Sequence, residues 1–196
     1  MKRVAIFASG NGTNSEAIIN HFKNSNKINI SAVFSNNANA FVLQRARRHG
    51  IATKIFDRED FYNSNKVMSQ LKEMEIDFII LAGFMWLIPQ YLITQYSSKI
   101  INIHPALLPN YGGKGMYGDR VHKKIIENGE KTSGITIHFV NNKYDDGQII
   151  FQTKCNIDDS DTPETLAEKI HKLEHQHYPT VIESTILKTF SANSAL

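Results

Sequence analysis

Short apolar runs recur through the first half of the chain, each followed by a segment with helical spacing. Residues 4–8 form a near-continuous apolar run, and Ala17, Ile18 and Phe22 then fall on one face of a helix. Residues 30–35 read as a second strand, 40–48 as a helix stopped at Gly50, and 53–56 as a third short strand. A helix capped at Asn63 or Ser64 runs to Met74. Residues 77–82 make the most apolar strand, as expected at the centre of a parallel sheet. Pro89 opens a further helix to about Tyr96. Strand–helix alternation of this kind predicts a three-layer αβα fold with a doubly wound, mostly parallel sheet, Rossmann-like in its first half.

The pattern changes after residue 100. Ile100 and Ile101 lead into Asn102-Ile103-His104-Pro105-Ala106-Leu107-Leu108-Pro109, where two prolines bar a helix and end the strand. Residues 110–118 carry four glycines and read as a flexible surface loop, either closing over a site or a harmless insertion. A helix over 119–127 ends at Asn128-Gly129. Residues 134–140 alternate as a half-buried strand, 141–147 form a polar loop and 148–153 return, so antiparallel strands extend the parallel sheet. Thr162-Pro163-Glu164 starts the last helix, with Leu166, Ile170 and Leu173 as its buried stripe and Pro179 as a kink or restart. The tail 191–196 is expected to fray.

The 196 residues suit one domain, spanning 1–190. A formal charge of +3, with no Lys/Arg run, gives no basis for a nucleic-acid partner. Arg45, Arg47 and Arg48 read as a solvated helix face. No apolar stretch is long enough to span a membrane, and the amino terminus reads as a strand, not a signal peptide. Cys155 is the single cysteine, which excludes an internal disulfide, fits a cytoplasmic setting and reads as a buried, inert thiol.

Candidate chemistry sits where strands end. Ser9-Gly10-Asn11-Gly12-Thr13-Asn14 joins a strand to a helix, and helix amino-terminal N–H groups favour phosphate there. The turn lacks the last glycine of the dinucleotide fingerprint and the Lys-Ser or Lys-Thr of a P-loop, so a plain capped turn stays open. Phe84, Met85, Trp86, Leu87 and Ile88 leave the central strand and either cover a flat apolar ligand or pack the core. Asn102 and His104 are two apart on one strand face, where an amide and an imidazole can polarise a carbonyl and hold an oxyanion. Taken alone, the pair reads equally as satisfied turn residues. His138 and Asp145 lie at later strand and loop positions; a carboxylate beside a histidine supports its cation, though Asp145-Asp146 also suits a solvated turn. His175 and His177 point to different helix faces and no other pair has ligand spacing, so no metal is expected. No G-x-S-x-G elbow indicates a serine hydrolase.

Five ordered segments resemble folate-dependent formyltransferases, from residue 4 to about 186: 9–14, 81–85, 102–109, 134–140 and 145–147. The 9–14 turn, together with Glu174-His175 ahead of Tyr178-Pro179, looks like the glycinamide ribonucleotide transformylase family in particular. The resemblance implies the formyltransferase fold, with 1–100 as nucleotide- and phosphate-binding half and 101–190 as catalytic and folate-binding half. It implies formyl transfer from 10-formyltetrahydrofolate, as co-substrate and without metal, to the amine of 5′-phosphoribosylglycinamide in purine biosynthesis, by a monomer or homodimer. Asn102, His104 and Asp145 resemble the catalytic group, with Pro105 and His138 in support. Gly12, Thr13, Asn14 and Glu174 would hold phosphate and ribose. Phe84, Met85, Trp86, Leu87, Ile88, Asn102, Asn142 and Asp145 would contact folate. Trp86 departs from the arginine usual at its position, and the 112–118 loop is longer and richer in glycine than is usual. Formyltetrahydrofolate hydrolase, which usually has an amino-terminal regulatory domain, and a non-catalytic folate- or nucleotide-binding module are the alternatives. Methionyl-tRNA formyltransferase would need a carboxyl-terminal RNA-binding domain.

Overall fold

The computed structural model describes residues 1–192. The first half alternates β1 (Lys2–Phe7), α1 (Thr13–Phe22), β2 (Ile28–Ser35), α2 (Phe41–Arg48) and β3 (Ala52–Ile55). Then come α3 (Arg58–Tyr62), α4 (Lys66–Glu73), β4 (Phe78–Leu81), α5 (Gln90–Gln95) and β5 (Ile100–His104). α6 (Asp119–Glu127), β6 (Thr132–Phe139), β7 (Ile149–Asn156) and α7 (Pro163–Ala192) complete the fold. The seven strands form one sheet in the order β3-β2-β1-β4-β5-β6-β7, parallel from β3 to β5 and antiparallel at β5–β6 and β6–β7. The expected mixed sheet with β4 at its centre is therefore observed.

Side chains alternate across this sheet and feed two cores. Val4, Ile6, Phe78, Ile80, Ile101, Ile103, Ile135 and Ile137 pack against α1, α2, α6 and α7. Ala5, Phe7, Ile79, Leu81 and Ile100 face the other way, against α3, α4 and α5. That second core draws its strand residues from β1, β2, β4 and only the first residue of β5. Asn102 pairs with His138 and His104 with Thr136 across β5–β6, so polar groups continue the face where the second core ends.

Four sequence expectations are adjusted. The helix expected up to Met74 is present as α4 from Lys66, but a short helix the sequence reading missed, α3, precedes it on a capping box between Asp57 and Asp60. Pro179 does not restart the helix: α7 runs through it, with Tyr178, Ile182 and Ile186 on either side fully buried, and their packing offsets the backbone bond that proline removes. Its stripe is buried at Leu166 and Ile170 but only half-buried at Leu173. Of the tail expected to fray, residues 191–192 continue α7, and 193–196 lie outside the described residues. No helix among the described residues is long and apolar enough to cross a membrane.

Candidate active site

Three strand ends and four later segments meet in a cavity of about 480 Å³. The turn after β1 enters first. Gly12 caps α1 at φ 80°, and a Cβ there would lie 2.4 Å from Val42 Cγ2, so glycine is required by both conformation and space. Val42 N–H donates to the Gly10 carbonyl at 3.1 Å, which docks this turn on the start of α2. Arg45 donates to the Asn11 carbonyl and to Asn11 Oδ1, both at 3.0 Å, and pairs with Glu16. Arg45 is thus a tether for the turn, not the solvated residue its sequence position suggests. The turn after β4 is tied to it: Ser9 N–H donates to the Gly83 carbonyl and Met85 N–H to Ser9 Oγ, each at 3.1 Å.

β5 runs through His104 before Pro105 ends it, delivering Asn102 and His104 to the cavity wall. The turn beyond is pinned by Thr136, whose hydroxyl donates to the Ala106 carbonyl at 2.7 Å and accepts from Leu108 N–H at 3.0 Å. Asn102 Nδ2 lies 3.2 Å from His138 Nε2 and 3.5 Å from Asp145 Oδ1. His138 Nδ1–H donates to the Phe139 carbonyl at 2.8 Å, which leaves Nε2 to accept one Asn102 hydrogen. The second amide hydrogen has only the long contact to Asp145.

His104 is 3% exposed, with Nε2 2.7 Å from the Tyr111 carbonyl and Nδ1 3.5 Å from Asp145 Oδ2. An imidazole between two acceptors is best satisfied as a cation, yet burial lowers its pKa, while the Asp145 charge and the Tyr111 hydrogen bond pull it up and the His138 charge pulls it down. Burial pushes Asp145 up, but the neighbouring His138 ring, the His104 charge and the Gly113 N–H at 2.9 Å together hold it below the usual carboxylate value. Tyr111 and Asp145, which flank His104, both adopt the left-handed conformation, at φ 57° and 53°. Such strain in non-glycine residues is retained where surrounding contacts enforce it, and it is common at functional sites.

The far wall comes from α6 and α7. Glu174 is 5% exposed and accepts from Asn14 Nδ2 at 2.9 Å, joining the last helix to the first-turn residue of α1. Burial raises its pKa, opposed by the Asn14 hydrogen bond and the His171 charge. Asn14 Oδ1 is itself buried without a protein partner.

Of the residues singled out from sequence, Gly12, Thr13, Asn14, Phe84, Met85, Asn102, His104, Pro105, Asp145 and Glu174 all line this one cavity. His138 stands behind Asn102 and Asp145. Trp86, Leu87, Ile88 and Asn142 do not line it. Ile88 is buried in the second core, and Trp86 packs beside Phe56, Phe61 and Tyr62 with the Arg58 guanidinium 4.8 Å over its ring. Lys114, Tyr144, His122 and His171 line the cavity without having been singled out. The 113–118 segment is part of the wall, and Met116 packs against the first core. Cys155 lies half-buried on β7, away from the cavity, and burial raises its thiol pKa. Among the described residues no group of three or more His, Cys, Asp or Glu is arranged to hold a metal.

Comparison with known proteins identifies the family. Residues 2–182 match the family described as Formyl transferase. The chain is 39% identical over 191 residues to phosphoribosylglycinamide formyltransferase of Bacillus subtilis (strain 168), covering 95% of each. It is 37% identical over 188 residues to the chloroplastic phosphoribosylglycinamide formyltransferase of Arabidopsis thaliana, covering 92% of this chain but 64% of that longer protein. The crystal structure of phosphoribosylglycinamide formyltransferase from Bacillus halodurans superposes with a TM-score of 0.86 at 38% identity, covering 96% of this chain and 97% of the other. With its sheet order, its Asn-x-His strand end and these relatives taken together, the chain belongs to the formyl transferase family.

Proposed function

We propose that the chain transfers the formyl group of 10-formyltetrahydrofolate to the amine of 5′-phosphoribosylglycinamide, giving the formylglycinamide ribonucleotide of purine biosynthesis and tetrahydrofolate. The observation that carries this reading is the convergence of Asn102, His104 and Asp145 on one cavity that also contains the 12–14 turn. The 1–100 half contributes the cradle for the ribonucleotide, with Gly12, Thr13 and Asn14 at its phosphate and Glu174 of the second half at its ribose. The 101–190 half contributes the chemistry and, with Phe84 and Met85, the walls for the folate. Trp86, Leu87, Ile88 and Asn142, outside the cavity lining, then act on folate by shaping the segments that carry Met85 and Asp145. The protein acts as a monomer or a homodimer. The single thiol suits a cytoplasmic setting.

The chemistry follows from the geometry. The substrate amine attacks the formyl carbon, a C–N bond forms and the carbonyl becomes an oxyanion. The free Asn102 amide hydrogen and a protonated His104 Nδ1 donate to that oxygen. Asp145 stabilises the imidazolium and accepts the proton shed by the amine, directly or through water. Collapse of the intermediate breaks the bond from the formyl carbon to folate nitrogen, which takes up a proton, so one proton leaves the amine and one arrives at the leaving group. The test is tetrahydrofolate release followed by absorbance with both substrates present. Wild-type protein should turn over only when the ribonucleotide is supplied. Asn102→Ala and His104→Ala should each lower kcat by about 100-fold or more. Near-normal turnover in either variant, or release with water as sole acceptor, would refute the reading.

A further inference from the structure

The glycine-rich loop between the Pro105 turn and α6 lines the cavity, and this chemistry leaves its middle without a task. Its ends are fixed to the site: the Tyr111 carbonyl meets His104, Gly113 N–H donates to Asp145, and Gly118 leads into α6, which brings His122 beside His171. Within it, Met116 N–H closes a turn on the Gly113 carbonyl at 3.1 Å. Gly113 and Gly115 sit at φ 97° and 89° with open space around the Cβ position, so backbone conformation rather than crowding requires glycine at both. Lys114 lies between them, and among the described residues it is the only Lys or Arg lining the cavity.

Charge accounting gives that lysine a role. A phosphate monoester carries about −1.5 to −2 near neutral pH. The 12–14 turn offers N–H groups, and the amino terminus of α1 contributes about half a positive charge. Arg45, beneath the turn, is committed to Asn11 and Glu16 and does not line the cavity. The lining also contains two carboxyl groups, Asp145 and Glu174. A dianion enclosed here lacks a full counter-charge unless the loop provides it.

We propose that Lys114 is a substrate-binding residue whose ammonium pairs with the ribonucleotide phosphate from the loop side, so that the loop closes the phosphate site begun by the 12–14 turn. This rests on reading that turn as the phosphate cradle. The ammonium on a four-carbon stem acts as a point charge, so arginine should substitute in part and methionine should not.

The experiment compares wild-type protein with Lys114→Met and Lys114→Arg, using calorimetric titration with ribose 5-phosphate and steady-state kinetics with both substrates. In K114M, the affinity for ribose 5-phosphate should fall and KM for the ribonucleotide should rise, each by about 10- to 100-fold, as for loss of a charged hydrogen-bond partner. KM for the formyl folate should not move, and K114R should recover most of the loss. Raised salt should weaken ribose 5-phosphate binding more in wild type than in K114M. Equal ribose 5-phosphate binding by wild type and K114M overturns the proposal. So does a change confined to KM for the folate, which would assign Lys114 to the carboxylates of that substrate. A fall in melting temperature with both KM values rising alike in K114M and K114R marks a structural residue and overturns it too. Failure of the wild-type protein itself to bind ribose 5-phosphate brings down the cradle reading, and Lys114 with it.

Discussion

At the residue scale, His122 shows what the site costs the fold. It is 2% exposed, and its Nδ1 is buried without a hydrogen-bond partner. Burial pushes its pKa down to about 4, the His171 charge adding to the shift, Asp119 opposing it and His104 adding again. An unfolded chain protonates this histidine near pH 6.5. Below that pH the unfolded state takes up a proton that the folded state refuses, so stability falls as pH falls until about pH 4, where both forms are protonated. The loss is about 2 kcal/mol between pH 7 and 5 and about 3 kcal/mol by pH 4. His104, whose pKa is also lowered, adds a slope of the same sign. Urea unfolding of wild type and His122→Phe at pH 7 and pH 5 measures the share that belongs to His122. The variant should lose most of its portion of the pH dependence, and an unchanged slope would show that this ring does not stay neutral in the folded protein.

At the element scale, α7 clamps the sheet at the place where chemistry begins. Tyr178 is fully buried, and its hydroxyl donates to the Leu81 carbonyl at 2.9 Å and the Ile101 carbonyl at 3.3 Å. Leu81 ends β4, and Ile101 immediately precedes Asn102. Tyr178→Phe leaves those buried carbonyls without this donor and should cost about 1–3 kcal/mol. For a domain of this size, a melting temperature lower by about 2–4 °C per kcal/mol follows. A thermal scan in which Y178F melts with wild type would show that the clamp adds nothing. The strands joined by this clamp were legible in the sequence because parallel, doubly covered strands are continuous apolar runs, as residues 77–82 are. α3 was not: it has five residues, one buried side chain in Phe61 and a cap formed by Asp57 and Asp60, too little for any period to register. Pro179 does not break the helix, an outcome that local propensity misses because it does not count the burial of Tyr178, Ile182 and Ile186. The site divides in the same way. Asn102 and His104 lie on one strand and could be read as a pair, and their resemblance to a family brought in Asp145 and Glu174. Arg45, His122, His171 and Lys114 carry no local signal, since only the packing of α2, α6, α7 and the glycine loop brings them to the cavity or its supporting turn.

At the scale of the molecule, the cleft lies where the winding of the sheet reverses. β1 is followed in space by β2 on one side and by β4 on the other, and the turns that leave β1 and β4 form adjacent walls of the cavity. Connections that diverge from neighbouring strand ends leave a crevice, which is the general binding place of doubly wound sheets. Here the crevice is closed by contacts of long sequence separation: Asn14 meets Glu174 across 160 positions, and Asn102 meets Asp145 across 43. An unfolded chain cannot reproduce them, so ligands that need the cleft bind only the folded state and must raise its stability. Ribose 5-phosphate at one hundred times its dissociation constant should add about 2.7 kcal/mol. For a chain of this length that is a rise in melting temperature of about 5–11 °C. The ribonucleotide end and the Phe84–Met85 end of the cavity are built from different segments, so a folate analogue should add its own increment on top of the first. Thermal scans with each ligand and with both measure this directly. Two increments that add describe one cleft with two separate berths; a second ligand that adds nothing in the presence of the first means that the two compete for a single one.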